Sequence, residues 1–389
     1  MTKEQKILCW CKNPEDGAIK QAENILKHPC LVGNVCLMPD THEGYGMPIG
    51  GVVALENAIC PNMVGVDIGC GMLAVKTSLT EITTDELKKV LGGSKENKAG
   101  IRSNIPVGFD HHKKNQEHSI FEEERWEHTT ICKQEFNSAK KQLGTLGGGN
   151  HFIEIQKGDD NHIWFMIHSG SRNLGYKVAN HYNEIAKKLC TMWKQDEVVQ
   201  NDLAFLPAGD KYFGEYLKEM KLCLDFAYAN RQKMSEIIKN EFIRVFPNVE
   251  FIEEINIHHN YASIENHYGK NVWVHRKGAT LARENTIGII PGSQGTNSYI
   301  VQGLGNPKSL CSCSHGAGRK MSRKKAIENL DLAEEQAILD SRGILHSLRY
   351  KSSLDEAPSA YKDIDTVMEE QKDLVKILVK LEPLAVVKG

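Results

Sequence analysis

The stretch Val64-Gly65-Val66-Asp67-Ile68-Gly69-Cys70-Gly71-Met72 sets a carboxylate and a thiol three residues apart among three glycines. Glycine at that density makes a turn rather than a helix, so the Asp67 and Cys70 side chains can converge on one point. A hard oxygen beside a soft sulfur suits a borderline divalent ion such as Zn²⁺ or Mn²⁺. The same residues also suit a purely structural turn, with a buried cysteine and a capping aspartate. A second joint runs Gly147-Gly148-Gly149-Asn150-His151-Phe152-Ile153-Glu154. Its backbone N–H groups could cradle a phosphate. If it continues as a strand, His151 and Ile153 share one face and Phe152 and Glu154 the other.

Three further joints carry histidine. His168-Ser169-Gly170-Ser171-Arg172 closes an apolar run and adds a guanidinium, the group best shaped for phosphate. His258-His259-Asn260 closes another run, and strand alternation lets only one of its two histidines join a given site. Ser312-Cys313-Ser314-His315-Gly316-Ala317-Gly318-Arg319 is followed by Lys320, Arg323, Lys324 and Lys325. A histidine opening a Gly-Ala-Gly turn among five cations is an anion site with a nucleophile in it, or a helix entry with a solvated basic face. His28, His111, His112, His118, His128, His162, His181, His267 and His346 lack glycine-rich neighbours and read as structural. No P-loop occurs, and Lys12 precedes Asp16-Gly17 with the wrong spacing for a K-x-D-G ligase motif, so lysine is not the obvious nucleophile.

The elements between these joints must hold them in place. Apolar periodicity predicts a helix over 18–27 and strands over 31–38, 51–55 and 72–78. Thr83 followed by Glu86 is a capping box opening a helix through Leu91. Segments 151–156 and 163–168 read as strands. Helix dominates from 173 to about 246, with Leu217, Met220 and Leu224 on one face. Strands follow at 251–257, 272–275, 286–290 and 298–301, helices at 322–330 and 364–381, and a terminal strand at 383–387.

The chain has 389 residues, 40% hydrophobic and 25% charged, which excludes disorder, collagen and coiled coil. That length allows two or three domains or one large α/β domain. No repeat or linker divides it. With a formal charge of −2, any nucleic-acid contact must come from a local basic patch. No apolar run approaches the ~20 residues of a membrane helix, and residues 1–6 are too polar for a signal peptide. The expectation is a soluble, cytoplasmic protein whose 11 cysteines are mostly reduced core residues.

Together these stretches resemble the RtcB family of RNA-splicing ligases. The resemblance runs from Met38-Pro39-Asp40-Thr41-His42 to Val387-Lys388-Gly389 and includes Val-His-Arg-Lys-Gly-Ala-Thr at 274–280. It implies one large mixed α/β domain spanning 1–389, with packed β-sheets around a metal-containing cleft and a mainly helical insertion at about 173–246. The implied activity is GTP-dependent joining of an RNA 3′-phosphate or 2′,3′-cyclic phosphate to a 5′-hydroxyl, as in tRNA splicing or RNA repair. Two Mn²⁺ ions are implied with it.

By the same resemblance His315 matches the family's guanylated histidine. Asp67, Cys70, His151, His168 and His259 match its metal ligands, with Cys70 bridging the ions. Asn150, His151, Phe152, Ile153, Glu154, His259, Asn260, Pro291, Gly292, Ser293, Gln294, Ser298, His315, Gly316, Ala317, Gly318 and Lys388 match its guanylate-binding positions. Gln294 departs from the methionine expected there. Arg172, Arg276 and Arg319 are candidate phosphate partners, and Glu154 and Lys388 candidates for reading guanine.

Rival readings are a relative that seals or caps DNA ends or repairs damaged RNA, and a non-catalytic RNA-binding descendant. The second should have lost His315 or Cys70, and both are present. A zinc hydrolase would leave His315 and Lys388 without roles.

Overall fold

Seven antiparallel strands form the larger sheet, in the order Ile287–Ile290, Ser298–Gly303, Val375–Lys388, Phe152–Gly158, Ile163–Ser169, Gly71–Thr77, Phe251–His258. The computed structural model describes residues 5–93 and 99–389; of the 1–6 segment, residues 1–4 lie outside it. The outermost strands Ile287–Ile290 and Phe251–His258 touch, so the sheet curls almost closed around Met72, Ala74, Trp164, Met166, Ile289, Ile300 and Leu381. Ile163–Ser169 is buried on both faces, which is why its sequence is a continuous apolar run rather than an alternation.

A five-stranded sheet runs Ile7–Cys9, Leu31–His42, Ile49–Leu55, Lys270–Lys277, Asn260–His267, parallel at the first pair and antiparallel elsewhere. The expected helical region is present as Arg172–Met192, Asp196–Gln200 and Lys211–Val245, interrupted by the two-residue strand Leu206–Pro207. Met234, Ile238 and Phe242 of its long helix pack against Leu73, Val75, Phe165 and Ile167 on the outer face of the curled sheet. Glu219 of the same helix accepts from the N–H groups of Thr130, Ile131 and Cys132, supplying from a distance the cap that helix Ile131–Gln142 lacks locally.

Thr83 and Glu86 form the expected reciprocal capping box. One expectation fails. The helix over 364–381 stops at Glu370, and Val375–Lys388 is a single 14-residue strand. Val375, Ile377 and Val379 alternate with Lys376 and Lys380, a strand pattern, and Asp363 caps only the short helix Ile364–Glu370. Buried Gln371 ends that helix by accepting from the N–H of Ser314 and donating to its hydroxyl. Pro383 sits inside this strand at a bulge, where a missing N–H costs no ladder bond. Asn260–His267, Ile131–Gln142 and Leu332–Ser341 are elements that periodicity did not indicate. No helix among the described residues is long and apolar enough to cross a membrane.

Candidate active site

A cleft of about 570 Å³ opens between the two sheets, lined from one side by His42, Lys277 and Gly278 and from the other by Cys70, Phe152, Glu154 and Lys388. At its floor four strand ends meet. Cys70 Sγ lies 3.4 Å from His151 Nε2 and 3.3 Å from His168 Nε2, and His168 Nε2 lies 3.3 Å from His259 Nε2. Asp67 Oδ2 is 3.0 Å from His151 Nε2. Two groups with metal-ligand geometry result: Cys70, His168 and His259, and Asp67, Cys70 and His151. Cys70 belongs to both.

The local sequence explains the convergence. Gly170 leaves room for the Asp67 carboxylate, since a Cβ there would meet Oδ1 at 2.3 Å. His151 Nδ1 faces the Leu146 carbonyl at 2.9 Å and His168 Nδ1 faces the Asn150 carbonyl at 3.0 Å. With a carbonyl facing each Nδ1, the Nε2 atoms of both rings turn toward Cys70, the orientation that backbone carbonyls give metal-binding histidines. Burial, with His151 and His315 nearby, pushes the His168 imidazole well below the usual range, and burial with His315 does the same to His259. Both are therefore neutral near pH 7. His259 Nδ1 is buried without a partner. Nitrogen, sulfur and carboxylate donors held neutral or anionic in a shared cluster fit a pair of divalent ions.

His315 stands beside this cluster, its ring 4.8 Å from that of His259. Its Nδ1 lies 2.6 Å from Asp40 Oδ2, and the same oxygen accepts from the N–H groups of His315 at 3.1 Å and Gly316 at 3.3 Å. Gly318 allows the turn: its φ is +71°, and a Cβ would meet the Asp40 carbonyl at 2.2 Å. A ring that carries its proton on Nδ1 keeps a lone pair on Nε2.

The opposite wall is built on the terminal strand. Lys388 pairs in register with Phe152, and its ammonium meets Glu356 Oε2 at 3.0 Å. Lys388 is thus an inward-facing strand residue, not a frayed end. Burial pushes the nearby Glu154 carboxyl up to about 8, opposed by its bonds to Gln156 and Ser298 and by the charge of Lys388. Gln294 donates to the Glu356 carbonyl at 2.6 Å, and its Oε1 is buried without a partner. Arg319 Nη1 meets Glu356 Oε1 at 3.1 Å, with Arg323 Nη2 at 3.5 Å from the same oxygen.

The family pattern described as tRNA-splicing ligase RtcB matches residues 21–389. The chain belongs to the RtcB family. An RNA-splicing ligase RtcB1 of Escherichia coli is 39% identical over 100% of this chain and 98% of its own length. A tRNA-splicing ligase RtcB of Nanoarchaeum equitans is 34% identical, with 97% of this chain and 93% of the relative covered. One from Methanococcus maripaludis is 32% identical, covering 97% and 92%.

In this RtcB-family chain most residues singled out from sequence line the cleft: Asp67, Cys70, Asn150, Phe152, Glu154, His168, His259, Asn260, Pro291, Gly292, Ser293, Gln294, His315, Gly316, Ala317, Gly318 and Lys388. His151 joins the ligand cluster behind that lining. Ser298 lies beneath it, accepting from the Gly292 N–H at 3.2 Å. The Ile153 side chain instead packs in the core with Ile155 and Ile167, on the far face of its strand. His258 points away from His259, as alternation requires, with Nδ1 3.0 Å from the Gly69 carbonyl.

Of the three arginines, only Arg319 lines the cleft. Arg276 is fully buried in a two-bond ion pair with Glu265, and is no phosphate partner. Arg172 is tied to Thr145 Oγ1 and the Gly108 carbonyl. Of the cations around helix Arg323–Asn329, Lys320, Lys324 and Lys325 are exposed, as a solvated face would have them.

Three residues went without a role in the sequence reading. Asp40 and Lys277 lay inside matching stretches, and Glu356 had no local signal at all. Lys277 donates to the Tyr45 carbonyl, and burial pushes its ammonium down to about 8.

Proposed function

We propose that this chain is a GTP- and Mn²⁺-dependent RNA ligase joining 3′-phosphate or 2′,3′-cyclic phosphate ends to 5′-hydroxyl ends through a guanylate on His315. The names of its relatives, RNA-splicing and tRNA-splicing ligases, support RNA splicing as the setting. The observation that carries the chemistry is the bond between His315 Nδ1 and buried Asp40 Oδ2, made beside the cysteine-centred cluster. Asp67, Cys70, His151, His168 and His259 would hold the two ions, and when bound these would offset charge on the phosphates.

In the proposed first step neutral His315 Nε2 attacks the α-phosphorus of GTP. A P–N bond forms and diphosphate leaves, while Asp40 holds the Nδ1 proton and stabilises the charge developing on the ring. An oxygen of the RNA 3′-phosphate then attacks that phosphorus, breaking the P–N bond and restoring the imidazole. The 5′-hydroxyl finally attacks the activated 3′-phosphorus, losing its proton as GMP leaves. A cyclic end is first hydrolysed at its 2′-oxygen to the 3′-phosphate. Arg319 and Arg323 line the cleft and would balance phosphate charge there. Glu154 and Lys388 are our candidates for guanine N1–H/N2–H₂ and O6. We take residues 1–389 as one catalytic domain with the helical insertion at about 173–246.

Two oligoribonucleotides, one ending in a 2′,3′-cyclic phosphate and one starting with a 5′-hydroxyl, test this reading. It predicts a joined product that requires both GTP and Mn²⁺. Joining of DNA ends in preference to RNA would favour the rival substrate class.

A further inference from the structure

The cleft does not account for one fully buried charge just outside it. Arg231, in the middle of helix Lys211–Val245, has no exposed surface. Its Nε donates to Asn256 Oδ1 at 2.7 Å. Nη1 donates to two carbonyls, Gly69 at 3.0 Å and Ser169 at 2.9 Å. Nη2 lies 3.2 Å from His258 Nδ1. These partners are all neutral groups. Burying a guanidinium among them is costly, so an arginine here needs a compensating role.

The partners share a relationship to the cluster. Gly69 precedes Cys70, Ser169 follows His168 and His258 precedes His259. A single planar fork therefore touches the neighbour of every member of one ligand group, at the ends of two strands and in the turn that leads into a third. The adjacent Asn230 fastens the same region, donating to the Ser169 hydroxyl and the Gly170 carbonyl.

We propose that Arg231 is the positioning residue of this metal centre, setting three strand ends in register so that Cys70, His168 and His259 meet. This rests on the metal-centre reading above. Lysine keeps the charge but lacks the planar fork that spans these partners.

The test is a Mn²⁺ titration of the metal-free full-length protein, with a thermal melt beside it. Arg231→Lys should melt as a folded protein and bind Mn²⁺ roughly 10–100-fold more weakly, the usual cost of losing an outer-shell support. Asn256→Ala, which frees only Nε, should shift affinity in the same direction by less. A merely structural role would lower the melting temperature and leave the affinity of the folded fraction unchanged. Wild-type affinity in folded Arg231→Lys would overturn the inference. Should that variant fail to fold, unchanged affinity in Asn256→Ala would overturn it instead. A wild-type protein that binds no Mn²⁺ would overturn the metal-centre reading, and this inference with it.

Discussion

Asp40 Oδ2, on a strand of the five-stranded sheet, reaches His315 Nδ1 at 2.6 Å across 275 residues of sequence. That one oxygen also takes two backbone N–H groups of the turn, so it fixes the ring, its tautomer and the turn together. Asparagine would present either an amide nitrogen, which cannot accept, or a weaker neutral oxygen. Asp40→Asn should therefore fold but guanylate far more slowly. Losing the tautomer-setting aspartate of a catalytic triad costs about 10⁴-fold, and a loss of roughly 10²–10⁴-fold is expected here. Single-turnover transfer of label from GTP measures it; a rate within threefold of wild type would remove Asp40 from the mechanism.

Glu154 gives the protein a pH dependence with a definite sign. Its carboxyl titrates near 8 when folded because burial disfavours the anion, against an ordinary value of 4.5. Between those values the folded state keeps a proton that the unfolded state has released. Its contribution to stability therefore falls as pH rises through about 5–8, and levels off above. Glu154→Gln should remove that component, leaving the variant close to wild type near pH 5 and relatively more stable at pH 8. Urea melts of the metal-free proteins at both pH values check this. A difference between variant and wild type that is constant with pH would contradict it.

Replacing Lys388 by alanine leaves the backbone strand pairing intact and leaves Glu356 its bonds to Arg319 and Tyr361, so the fold should be spared. A site built on hydrogen bonds to one base can reject another by up to ~10⁴-fold, because its polar groups would be left unpaired. Lys388→Ala should weaken GTP use much more than it lowers the melting temperature, and the preference for GTP over ATP should shrink. Competition between the two nucleotides in the guanylation reaction reads both effects. Undiminished preference would leave Lys388 with only its ion pair to Glu356.

How much of this was legible in the sequence depends on distance along the chain. Asp67 and Cys70, or His258 and His259, announce themselves because glycine turns and strand alternation are local rules. The apolar run Ile163–Ser169 was readable for the same reason. The roles of Asp40 and Glu356 were not, because the His315 that Asp40 holds and the Lys388 that Glu356 holds lie 275 and 32 residues away, and no local pattern records those contacts. Segment 364–381 misled because its apolar residues fit helical spacing as well as alternation. Pairing with Ser298–Gly303 and Phe152–Gly158 decided the matter, and no local pattern contains that information. Arg276 misled similarly: a guanidinium in a matching stretch is spent on Glu265 inside the core.

Cys70 is the one side chain common to both ligand groups, and sulfur is the donor best able to bridge softer divalent ions in an otherwise nitrogen and oxygen site. Cys70→Ala should keep the fold and lose bound Mn²⁺ together with guanylation. Elemental analysis after gel filtration, beside a thermal melt, separates this from a simple core defect. Full metal content in the variant would end the bridging assignment.

The central claim is that His315 carries the guanylate, and incubation with α-labelled GTP and Mn²⁺ followed by denaturing electrophoresis tests it most directly. The account predicts label on the wild-type protein, stable to alkali, released by acid as a phosphoramidate should be, and absent from His315→Ala. Label that persists on His315→Ala, or that survives acid on the wild type, would contradict it.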